Sequence, residues 1–160
     1  MLDPWLPGIG HLQNIHPLVV HFPIAFLMGM ALIYLLSYVL RRESWAKAAF
    51  LLLVLGTVTA AIAAATGLYA QGGVMVAPAV RSALLNAHMQ WMEVTLALSI
   101  VATVWAALTG AFPKKGRLLF VVLCLLIVTV LTKGADYGGR MVYDYNAGGN
   151  ACGQPIEFTK

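Results

Sequence analysis

The chain has 160 residues, of which 61% are hydrophobic and only 10% charged, with a formal net charge of +4. Soluble domains carry about 25% charged residues, so this composition excludes a water-soluble enzyme, a disordered tail and a nucleic-acid binder, whose basic residues would share one face. Two cysteines, Cys124 in an apolar run and Cys152 near the end, form neither a disulfide framework nor a zinc motif.

Charge is missing from Pro4 to Leu40, from Ala48 to Val80, from Val94 to Pro113 and from Leu118 to Thr132. A helix crosses a bilayer with about 20 mostly apolar residues. The expected spans are therefore Pro17–Leu40, Ala46–Leu68, Ala87–Phe112 and Leu118–Ala135. The first reads as a span rather than a signal peptide. Its apolar run is too long, no basic segment precedes it, and no small-residue cleavage site follows. It opens on His16-Pro17, proline suiting the first helical position, and places His21 about one turn in.

The turn Arg41-Arg42-Glu43-Ser44 leads to the second span. That span carries a run of small residues, from Gly56 and Thr57 through Ala60-Ala61 and Ala63-Ala64-Ala65 to Gly67. The loop Tyr69–Asn86 follows. The third span holds His88 near its start, with Asn86 a candidate cap, then Trp91 and Glu93. The turn Pro113-Lys114-Lys115-Gly116-Arg117 joins it to the fourth span. The chain leaves through Gly134 and Gly138-Gly139-Arg140, and a polar, glycine-rich tail covers Asp144–Lys160. With Lys47, the two basic turns hold six of the ten Lys and Arg residues. The positive-inside rule puts these turns in the cytoplasm. Both termini, the loop Tyr69–Asn86 and all four histidines (His11, His16, His21, His88) then lie outside. Trp5, Tyr69, Trp91, Tyr137, Tyr143 and Tyr145 make an outer aromatic belt, and Trp45 sits at the inner face.

The expected fold is all-α: an up-down bundle of four transmembrane helices over residues 1–143, with an extracytoplasmic tail at 144–160, in the inner membrane. At a shift of 67 residues, His21 falls on His88, Lys47 on Lys114, Gly67 on Gly134 and Gly72 on Gly139. This suggests a tandem two-helix duplication, its halves related by a pseudo-two-fold axis along the membrane normal. The same register pairs His21 with His88 across the axis near the outer end. His16 and His21, five residues apart, point about 140° apart on a helix and do not make a joint ligand pair.

An ionisable residue in a membrane span points to function. Two facing imidazoles, His21 and His88, suit the axial positions of a haem b held in a bundle core. The small residues of the second span, Gly67 included, either make room for the ring or simply let helices pack closely. Trp91 would line the pocket. Arg140, Arg81 and Lys133 would meet haem propionates or anionic headgroups. Glu93 and His16 are the candidate proton acceptors if a quinol is oxidised nearby, although an ion pair with Arg81 or a neighbouring subunit is the more ordinary reading of Glu93. The histidines could instead hydrogen-bond loop carbonyls, or hold copper or another metal with His16 or Glu93 completing the sphere. No C-x-x-C-H is present, so no covalent haem is expected.

The segment Ile15-His16-Pro17-Leu18-Val19-Val20-His21-Phe22-Pro23-Ile24-Ala25 resembles the opening signature of a bacterial family of small four-helix membrane proteins, catalogued as a domain of unknown function. The resemblance continues at Thr66-Gly67, Ala87-His88 and Gly138-Gly139-Arg140-Met141-Val142-Tyr143. The family pattern has histidines matching His16, His21 and His88, and departs from this chain after Tyr143. Members joined to, or encoded beside, cytochrome c modules imply an electron-transfer setting. The leading expectation is a membrane-anchored b-type cytochrome subunit working between the quinone pool and an extracytoplasmic c-type cytochrome or other membrane-complex subunits, with His16 a hydrogen-bond partner. The alternatives are a cofactor-free structural subunit and a metal-handling membrane protein.

Overall fold

The computed structural model describes residues 14–74 and 77–145; His11, Trp5, Cys152 and the tail beyond Tyr145 lie outside them. Four helices are long and apolar enough to cross a membrane. The segments His16–Val19 and His21–Val39 run together as α1 (His16–Val39). A 3₁₀ turn, Glu43–Trp45, leads into α2 (Ala46–Ala70). Short helical pieces at Gln71–Gly73 and Pro78–Val80, then a π turn at Arg81–Leu85, lead into α3 (Asn86–Thr109). The last helix is α4 (Arg117–Tyr145).

The helices close a four-sided bundle. α1 packs on α2, α3 on α4, and the two hairpins meet through α1 with α4 and α2 with α3. Helices α1 and α3 therefore stand diagonally opposed. Only 22–39% of each apolar span is buried by the rest of the chain. Such all-round apolar helices belong in lipid, which solvates the outward side chains. Leu51, Leu55, Val58 and Ile62 on α2, and Leu118, Leu119 and Val122 on α4, are among those facing out.

Inside, Leu27, Met30, Leu53, Ala102, Ala106, Cys124 and Ile127 fill the core. Gly56 lets α1 and α2 cross closely: a Cβ there would lie 2.6 Å from the Leu27 Cδ2. At the end carrying the basic turns, Tyr34 meets Phe120 edge-on with centroids 4.9 Å apart, and its hydroxyl donates to the Ala111 carbonyl at 2.5 Å. That bond ties α1 to the turn between α3 and α4.

The fourth span was expected at about Leu118–Ala135; the helix that carries it, α4, continues through Gly138 and Gly139 to Tyr145. Interior glycines each cost a helix about 1 kcal/mol, but tertiary packing overrides this. Met141 is buried against Leu84 and Leu85, with Tyr137 beside them, and Arg140 pairs with Asp144 one turn on at 3.6 Å. The stretch Tyr69–Asn86 was expected as a loop, and much of it is helical for the same reason. Leu84 and Leu85 bury themselves against α4.

Candidate two-histidine site at the end of the bundle

His16 begins α1. Its backbone N–H donates to the Asn14 Oδ1 at 3.0 Å, and Pro17 follows it. The half-buried imidazole reaches across to the end of α2, where its Nδ1 lies 3.1 Å from the Thr66 Oγ1. Thr66 donates its own hydroxyl proton to the Ala63 carbonyl at 3.0 Å. With that proton spent, the hydroxyl accepts from His16, so Nδ1 carries the hydrogen and Nε2 the lone pair. The ring rests on Gly67, where a Cβ would stand 2.9 Å from the His16 Cε1.

His88 repeats the arrangement on the other hairpin. It lies within the first turn of α3, just past the π turn, a distortion often found at functional sites. Its Nδ1 is 2.8 Å from the Gly134 carbonyl of α4. A carbonyl only accepts, so Nδ1–H is again the donor and Nε2 again holds the lone pair. A Cβ at Gly138 would sit 3.1 Å from the ring's Cε1 and Nδ1. Each imidazole is thus anchored through Nδ1 and laid on a glycine of its partner helix. Among the described residues, neither Nε2 has a hydrogen-bond partner.

The pair expected from the sequence was His21 with His88. In the structure it is His16, not His21, that like His88 anchors its Nδ1 and rests on a glycine of its partner helix. His21 is exposed on the outside of α1 because it follows His16 by five residues, about 140° around the helix. Only one of the two can face inward. The internal register shifts accordingly. His16 and His88 are 72 residues apart and their supporting Gly67 and Gly138 are 71 apart, against the 67 that aligned His21 with His88.

The remaining candidates divide. Trp91 is half-buried and packs its Cβ against Gly134. Arg140 is exposed and paired with Asp144, and Glu93 is exposed. Arg81 donates to the Gln71 carbonyl at 2.6 Å, which pins the α2–α3 connection rather than Glu93. Lys133 lies over the Tyr137 ring, 5.0 Å from its centroid. Sequence reading assigned no role in the site to Gly138 or to the Thr66 hydroxyl. The signal available was the Gly67–Gly138 spacing beside the His16–His88 spacing.

A family model described as a predicted membrane protein, DUF2231, matches residues 12–151. The chain belongs to that family. The match covers both histidines, both supporting glycines and all four helices. Nothing among curated proteins or solved structures matches this DUF2231 chain. Among its described residues, no group of three or more His, Cys, Asp or Glu side chains is placed to hold a metal ion.

Proposed function

We propose that this protein is a membrane-embedded electron carrier that holds one haem b between His16 and His88. The observation that carries the reading is the paired donor geometry: two imidazoles from diagonal helices, each with Nδ1–H anchored and Nε2 free. Hydrogen-bonded Nδ1 is the usual arrangement of a metal-ligating histidine, because it fixes the tautomer and the ring plane. Two such nitrogens suit a group that brings its own equatorial ligands. A porphyrin needs only two from the protein, whereas a bare ion needs three or four.

The residues present fit such a group. His16 and His88 would bind its iron, and Gly67 and Gly138 set the height and tilt of the two rings. Ala60, Ala63 and Ala64 keep the nearby face of α2 thin. Trp91 would line the pocket edge, and Arg81, Lys133 and Arg140 stand on the same end to meet carboxylates. The bound haem would supply a one-electron couple. The chain's part is to hold both imidazoles neutral and oriented and to shield the site on its lipid side.

By charge placement, the basic turns face the cytoplasm and the histidines the outer side of the inner membrane. Electrons would then pass between the quinone pool and an extracytoplasmic c-type cytochrome, with the exposed Glu93 the nearest carboxylate on α3 for a quinol proton. The second reading, a cofactor-free structural subunit, rests on the same hydrogen bonds. They satisfy both histidines at Nδ1 and would serve as interhelical ties.

The test is a dithionite-reduced minus oxidised spectrum of the purified protein. The wild type should show the α and β bands of a low-spin b haem. His16→Ala and His88→Ala should lose them while still entering the membrane, and His21→Ala should keep them. A wild type that shows no such bands when isolated without cofactor loss favours the structural subunit. Loss in His21→Ala with retention in His16→Ala overturns the ligand pair.

A further inference from the structure

The opposite end of the bundle, which the haem reading leaves unused, contains a hollow of about 510 Å³ lined by Ser37, Arg41, Glu43, Phe112 and Arg117. We propose that it binds the phosphate headgroup of an anionic phospholipid. A second hollow of about 290 Å³ shares Glu43, Phe112 and Arg117 and adds Lys47 and Lys114. Four basic side chains thus line the two hollows against one carboxylate. That carboxylate is already engaged, since Arg117 holds Glu43 at 2.5 Å. Arg117 is also fixed by its Nε–H donating to the Pro113 carbonyl at 3.3 Å and by its stacking 5.2 Å over the Phe112 ring. Its guanidinium is positioned before any ligand arrives.

Arg41 supplies an independent observation. Its backbone is left-handed, with φ of 52°. Two hydrogen bonds lock the turn around it: Arg42 N–H to the Ser37 carbonyl at 3.0 Å, and the Ser37 hydroxyl to the Arg42 carbonyl at 2.8 Å. A helix ending this way normally uses glycine, because a Cβ crowds the backbone in the left-handed conformation. Here the position carries an arginine on the rim of a cationic hollow. Strain retained at such a point suggests a ligand contact.

The surroundings select a lipid over free phosphate. Val39, Leu40 and Leu118 turn outward beside the hollow, and Tyr38 and Trp45 are exposed near it. A headgroup in the hollow would lay its acyl chains on this apolar surface, at the depth where aromatic residues mark the interface. Basic pockets between helix ends are the general form of anionic headgroup sites.

The full chain in neutral detergent can be titrated with short-chain phosphatidylglycerol, short-chain phosphatidylcholine or inorganic phosphate while its thermal midpoint is followed. Native mass spectrometry reports retained lipid. Phosphatidylglycerol should raise the midpoint and remain bound, and the other two should not. Arg41→Gly should hold or raise the midpoint without lipid, because glycine accepts the left-handed backbone, yet bind phosphatidylglycerol about fivefold more weakly, as losing one interfacial cation implies. Arg117→Gln should also weaken binding, its lower starting stability being read against the intact Arg41→Gly protein. An equal response to phosphate would reassign the hollow to free oxyanions. Equal binding of the two lipids, or unchanged binding by Arg41→Gly, would overturn the site. Haem content enters neither measurement.

Discussion

Gly67 and Gly138 matter at the residue scale because each presents bare backbone to an imidazole. A methyl group at Gly67 would lie 2.9 Å from the His16 Cε1, closer than van der Waals contact allows. The anchored ring would have to tilt off the Thr66 hydroxyl. On the proposed haem reading, Gly67→Ala should therefore lower the haem absorbance per protein several-fold, judged by spectra of membranes with matched protein content. Gly72→Ala is the control, since nothing lies within 4 Å of a Cβ there. Equal spectra for the two variants would show that ring placement does not matter. At this scale the sequence was half legible. His16 and His21 both fall near the start of a span, and residue spacing shows only that they point in different directions. Which one faces inward depends on how α1 is rotated against α2, and that rotation is set by Leu27 over Gly56 and by Thr66 under His16.

Among the elements, the α1–α2 hairpin is the most tightly defined. Without a hydrophobic drive between helices in lipid, close packing at small residues holds them together. Gly56 is a point of close approach, and a Cβ there would press on the Leu27 Cδ2 and Cγ at 2.6 and 2.8 Å. Gly56→Ala should cost about 1–3 kcal/mol, the usual range for overpacking. The expected reading is a lower thermal midpoint in detergent, with Gly72→Ala unchanged. Helix α4 teaches the converse lesson. Its glycines look like a helix exit when read along the chain. They are instead the surface on which His88, Trp91 and Met92 lie. Glycine marks a close approach as readily as a turn, and only the neighbour across the interface tells which.

For the whole molecule, the diagonal placement of α1 and α3 lets one imidazole from each hairpin face the same end of the bundle. The proposed placement of the basic turns in the cytoplasm predicts sidedness. In a Cys152→Ser background, with Cys124 buried in the core, an added cysteine at Asp136 should react with a membrane-impermeant maleimide in intact spheroplasts. One at Lys114 should react only after the membrane is opened. The reverse pattern would place the histidine end in the cytoplasm and remove the extracytoplasmic partner.

Composition and the spacing of charge were enough to determine that this chain lives in a bilayer as four helices. In lipid each helix satisfies its own backbone, so a span can be read from one segment without knowledge of any other. The site could not be read that way. His16 and Thr66, or His88 and Gly134, are joined by contacts about 50 residues apart in the chain. Such contacts depend on helix rotation and depth, which apolar all-round helices leave unmarked in their sequence, and only the packed bundle decides them.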